Sequence, residues 1–316
     1  MIQYSLRIML IISALLVWGM IGSAGAEVSP EMPSLNLTPE QWVGHNFLFL
    51  DLAADKRAEG YEIYMEDQAK RGFQGDLSAR ISYAEHVGKQ VTVTDVIRYS
   101  AGEYREDYVI YLKENETGKK LVGRTMSGQL EGLVLEADLL KARQQFMGKT
   151  VYVKKRILEG AYDPHANMTP PAVISRIGSA VQVVDVYTGV RAVEPIWLIV
   201  LVNGQKAILP IVYSWTNMPV NAWTDNPPWQ EELFTEEQHA KLGWSEALWQ
   251  QIEAGVVQEG MTKEQVRLSW GPPAFIDNNA CGPNKAVWNY GTRVLSFSGD
   301  NLAFMETVEL KNAVSP

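Results

Sequence analysis

The chain has 316 residues, 46% of them hydrophobic and 21% charged, as in an ordinary globular protein. That length exceeds one typical domain, so two or three are expected. Asp and Glu outnumber Lys and Arg by 37 to 28, and an acidic chain without a basic run repels phosphate backbones, which excludes nucleic acid as an expected partner.

In chain order, Arg7 precedes an apolar run of 14 residues, Ile8 to Ile21, followed by Gly22-Ser23-Ala24-Gly25-Ala26. A basic start, a short apolar stretch and an A-x-A end read as a signal peptide over residues 1–26. The run is shorter than the ~20 residues that span a bilayer. No later segment is apolar enough, so no transmembrane segment is expected once the leader is removed. No cysteine lies near the cut, so the mature chain is not expected to be lipid-anchored. The expected location is periplasmic or secreted, peripheral to the outer membrane. Cys281 is the single cysteine, so intramolecular disulfides are impossible.

Residues 40–215 read mostly as strands. Four segments place an apolar residue and a glycine before an alternating apolar run: Val43-Gly44, Val87-Gly88, Met147-Gly148 and Ile177-Gly178. The glycine suits a tight turn, and the alternation suits a half-buried strand. Val87–Val96 and Ile177–Val186 match furthest and lie 90 residues apart. Each meets a second strand, Tyr108–Leu112 or Trp197–Leu201, at nearly the same distance. This predicts a tandem duplication, with β units over 40–130 and 143–213. Asn203-Gly204 predicts a type I′ hairpin turn, Glu116-Thr117-Gly118 a second hairpin, and Glu136–Gln145 a helix. Short strands with Gly-bearing turns suggest small barrels or sandwiches, and the two units resemble SH3-like barrels of the bacterial envelope.

Residues 215–243 form an acidic connector rich in Trp and Pro, with Trp215, Trp223 and Trp229. Trp244 and Trp249 follow closely, so five of the ten tryptophans fall within 35 residues. Nine acids and two lysines lie between Trp215 and Gln265, which suggests docking of a basic partner. Thr235 and Gln238 read as a capping box opening a short helix that Gly243 ends.

From Ser245, an N-cap residue, an amphipathic helix runs to Gly255. Thr262 and Gln265 form a capping box for a second helix, which Gly271-Pro272-Pro273 stops. Three strands follow, around 274–276, 286–290 and 294–297 with its continuation 302–308. The series Gly260-Met261-Thr262, Gln265-Val266, Gly271-Pro272 and Trp288-Asn289-Tyr290 resembles the BamE/SmpA/OmlA domain over residues 245–312. The resemblance implies two helices packed on a three-stranded sheet, an envelope location and a link to outer-membrane assembly. The fold expected is therefore multidomain and β-rich: two small all-β units, then a two-helix, three-strand α+β domain.

The family-motif residues Gly260, Met261, Thr262, Gln265, Val266, Gly271, Pro272, Trp288 and Tyr290 read mainly as scaffold. No catalytic residue is nominated. His45, His86, His165 and His239 show no ligand spacing, and no Gly-x-Ser-x-Gly or phosphate loop occurs. No metal and no cofactor are expected, and an enzyme is not. Trp215, Trp223, Trp229 and Trp244 are the candidates for contacting a partner or a glycan, because rings bury large areas at low entropic cost. The expected role is a non-catalytic envelope interaction protein, with a peptidoglycan- or glycan-binding module as the alternative. The partners expected are accordingly other envelope proteins or cell-wall glycan.

Overall fold

A computed structural model describes residues 36–102, 105–126, 128–161, 170–189, 195–218, 228–278 and 284–308. The expected leader over 1–26 lies outside the described residues, as do His165, Trp223 and Cys281. The protein is β-rich, with several antiparallel sheets that include a curled half-barrel.

The first sheet comprises β1 (Asn46–Phe49), β2 (Tyr61–Met65), β3 (Arg80–Ile81), β4 (Gln90–Gly102), β5 (Arg105–Glu114), β6 (Lys120–Thr125) and β7 (Leu133–Leu135). Its order is β3-β2-β6-β5-β4-β1-β7. The second comprises β8 (Thr150–Val153), β9 (Ile157–Gly160), β10 (Val173–Ile174), β11 (Ala180–Thr188), β12 (Ile196–Val202), β13 (Gln205–Ile211) and β14 (Leu233–Phe234). Its order is β10-β9-β13-β12-β11-β8-β14. Strand for strand, the two orders are the same.

The likeness extends to single hydrogen bonds. Both long strands carry a bulge at the same place, between Val93 and Asp95 in β4 and between Val183 and Asp185 in β11. In each bulge the Asp carboxylate accepts from the next backbone N–H, that of Val96 at 2.8 Å or Val186 at 2.7 Å. The four Gly segments form four equivalent turns. Val43, Val87 and Met147 have φ near −55° and ψ of 125°, 129° and 127°. The following glycines have φ of +84° (Gly44), +75° (Gly88), +72° (Gly148) and +77° (Gly178). That is a type II turn, whose third residue must adopt the positive φ that glycine reaches without strain. The closing N–H of His45, Lys89, Lys149 and Ser179 donates to Trp42, His86, Phe146 and Arg176 in turn. Each glycine N–H then donates across to a strand, Gly44 to Val93, Gly88 to Phe49, Gly148 to Val183 and Gly178 to Val153.

Trp42, Phe47, Phe49, Tyr61 and Ile110 pack in the first core. The second gathers Val151, Val181, Leu198 and Leu209 beneath Leu139, Ala142 and Phe146 of the helix Glu136–Phe146. Leu50 and Val134, from the first unit, join this second core. Residues 214–218 add a polar tie, with Ser214, Thr216, Asn217 and Met218 buried. The Asn217 amide accepts from the Leu130 N–H at 2.7 Å and donates to the carbonyls of Leu130 and Leu133 at 2.9 and 2.8 Å. The Trp215 N–H donates to Asn36 and the Leu37 N–H to Thr216.

Two short helices, Glu246–Glu253 and Lys263–Trp270, precede a sheet of β15 (Phe275–Asp277), β16 (Lys285–Asn289), β17 (Arg293–Ser298) and β18 (Asn301–Thr307). The sheet has four strands in sequential order, against the three expected. Gly299, with φ +62°, opens a two-residue turn between Ser298 and Asn301 and folds the 294–308 run back on itself. The connector helix also differs from expectation. It spans His239–Leu242, and the Glu237 carboxylate, not Thr235, accepts from the N–H groups of His239 and Ala240. A carboxylate there also offsets the positive end of the helix. Gly243 ends the helix at φ +61°.

Candidate functional site

The motif residues converge on the C-terminal module. The Gly260 N–H donates to the Leu302 carbonyl and the Leu302 N–H to the Met261 carbonyl, so the Gly-Met-Thr run lies along β18. Met261 and Val266 are buried in the module's core with Trp288. Thr262 and Gln265 form the reciprocal capping box, Thr262 Oγ1 accepting from the Gln265 N–H at 3.2 Å and Gln265 Oε1 from the Thr262 N–H at 2.9 Å. Gly271 caps the helix, and its carbonyl accepts from the Tyr290 hydroxyl at 2.9 Å. Burial pushes that hydroxyl's pKa well above its ordinary range. Pro272 is exposed beside it. The Trp270 indole donates to the Gly255 carbonyl at 2.7 Å and meets the Tyr290 ring edge-on.

The tryptophans are distributed through the chain's own packing. Trp215 packs against Val212 and Met218. Trp229 meets Phe146 edge-on, with ring centroids 5.2 Å apart. Trp244 leans on Trp249 at 5.1 Å, and His239 stacks on the same ring at 4.0 Å. Trp244 and Trp249 come together, and Trp223 lies outside the described residues. The connector's acids also find partners within the chain. Glu231 pairs with Arg267 at 3.0 Å, Glu232 with Lys155 at 2.5 Å, and Glu236 with Lys241 at 2.8 Å. Glu231 and Glu232 thus tie the connector to other parts of the chain, while Glu236 pairs within it.

These contacts seat the module on the second unit. Trp249 and Ile252 pack on Ile177. Arg156 donates to the Glu253 carbonyl at 2.6 Å and to that of Ile252, at the negative end of the helix. Arg176 pairs with the Glu253 carboxylate at 2.8 Å.

The module's sheet has two unlike faces. Ala286, Trp288, Leu295, Phe297 and Leu302 point to the helices and are buried. On the other face the register aligns Phe275 with Asn289 and Val294, and Val287 with Ser296 and Phe304. Phe275 is 63% and Phe304 52% exposed, with Val287 and Val294 half-buried between them. Sequence reasoning missed this face. The signal was present, since β16 and β17 carry apolar residues at both parities, where a one-sided strand would alternate. Among the described residues no group of His, Cys, Asp or Glu is placed to hold a metal ion, and no helix is long and apolar enough to cross a membrane. Comparisons with models of protein families, with curated proteins and with solved structures found no match to the chain.

Proposed function

We propose that the chain is a non-catalytic interaction protein of the cell envelope. It docks to other envelope proteins through its C-terminal module and supports outer-membrane protein assembly or envelope integrity. The leader-like start and the resemblance of residues 245–312 to the BamE/SmpA/OmlA domain motivate the compartment, with the SH3-like reading of the two β units beside them. The observation that carries the reading is the uncovered sheet face, where Phe275 and Phe304 stand 63% and 52% in solvent. Large rings exposed together on one face characterise surfaces that bind another protein. Affinity purification from the periplasm, with Phe275→Asp and Phe304→Asp beside the parent, tests it. The parent should recover a defined protein partner, and each variant, melting like the parent, should lose about tenfold of it. Recovery of no partner by the parent overturns the reading. The glycan alternative has weaker support, because Trp215, Trp229 and Trp244 each pack against other side chains of the chain itself. Co-sedimentation with purified cell wall separates the two.

A further inference from the structure

The four type II turns share a backbone and differ in what covers them. At Ile177-Gly178 the C-terminal module is seated. Ile177 is 1% exposed against Trp249, and a Cβ on Gly178 would lie 3.0 Å from the His239 ring and 3.6 Å from Trp249. The glycine's missing side chain lets this stacked aromatic pair rest on the turn. At Gly44, Gly88 and Gly148 nothing lies within 4 Å of the same point, and Val43, Val87 and Met147 stand 49%, 37% and 41% exposed. A type II turn makes no demand for a bulky apolar residue at its second position.

Val87-Gly88 is the positional counterpart of Ile177-Gly178. Each opens the long bulged strand of its unit, and each glycine donates to the end of the unit's first strand, at Phe49 or Val153. Charge distinguishes the two places. The occupied turn is flanked by Arg156 and Arg176, which take a helix end and an acid. At the open one, Lys89 is paired with buried Glu114 at 2.9 Å, and exposed Glu85 and Glu116 act on it through space. The rim is therefore acidic.

We propose that Val87-Gly88 is a docking socket for a helix of another protein that presents an aromatic ring with a Lys or Arg within one turn of it. The ring covers Val87 and lies on Gly88 as Trp249 and His239 lie on Gly178, and the cation meets Glu85 and Glu116. A second copy of this chain is not the occupant, because its own Trp249 is already seated, 1% exposed. The socket rests on the interaction-protein reading and adds a contact distinct from the module's sheet.

The test places a benzophenone amino acid at Val87 of the full chain, with the more exposed Leu77 (59% against 37%) as a stringent control, and crosslinks intact cells of its own host. The expected result is an adduct at position 87 well above that at 77, mapping to a partner helix with an aromatic and a basic residue within one turn. No excess over Leu77, an adduct to residues 239–254 of a second copy, or one to a segment lacking an aromatic overturns the socket. Val87→Asp should melt like the parent and lose about tenfold of the partner. If it keeps the partner while Phe275→Asp loses it, the socket falls and the interaction reading stands. If the parent recovers no partner, both fall.

Discussion

At the scale of single residues, Asp138 is the side chain with most to tell. It is 4% exposed, in the first turn of the helix Glu136–Phe146. One oxygen accepts from the Ser214 hydroxyl, and the other has no partner among the described residues. Burial pushes its pKa up to about 6, against the smaller opposing pulls of Ser214 and Lys141. Unfolded, the same carboxyl titrates near ~4. Between about pH 4 and 6 the folded chain holds a proton that the unfolded chain has lost, so stability falls as pH rises through that window. Above it, the ionised carboxylate costs the fold about 3 kcal/mol. Asp138→Asn should therefore raise the melting temperature at pH 8 and flatten the melting profile between pH 4 and 6. A variant as pH-sensitive as the parent would show that the group is hydrated.

Elements show how far sequence reaches. The helix Lys263–Trp270 rests on a local device, the reciprocal bonds of Thr262 and Gln265. Thr262→Ala should cost about 1 kcal/mol, read by chemical denaturation. Such devices are legible because partner and target lie within four residues. The four Gly turns, the Asn203-Gly204 hairpin (φ 49° and 82°) and the Ser245 cap are of this kind. The tie through Asn217 was not legible, because its targets lie 87 and 84 residues upstream, and nothing near an asparagine announces a distant backbone. Asn217→Ala leaves the Leu130 N–H and two carbonyls buried without their bonds. A loss of about 3 kcal/mol is expected, together with faster hydrogen exchange at Leu130 than at the Ile110 amide in the middle of the first sheet. Equal acceleration at both would mean that the whole unit, and not the tie, had loosened.

For the molecule as a whole, the question is what makes two repeated sheets and a third module cohere. The 90-residue spacing hinted at the repeat, yet the common strand order follows only from pairings no single strand encodes: β7 and β14 each return to flank the first strand of their unit. The third module attaches through fewer groups. Trp249, Ile252 and Leu268 pack on Ile177, with Arg156 and Arg176 at the helix end and Arg267 on Glu231. Exposed ion pairs contribute little, while truncating a buried indole costs about 3–5 kcal/mol. The Trp249 ring is thus the dominant fastener, and Arg176, whose own side chain is 73% exposed, a minor one. The module's own core, with Val266, Trp288 and Phe297 buried, does not include Trp249. Trp249→Ala should accordingly undock the module without unfolding it, so calorimetry resolves a separate lower transition and protease cuts near Gly243. Arg176→Ala should keep the parent's melting behaviour. A single lowered transition in Trp249→Ala, with no new cleavage, would mean that module and second unit fold as one body and that the ring belongs to a common core.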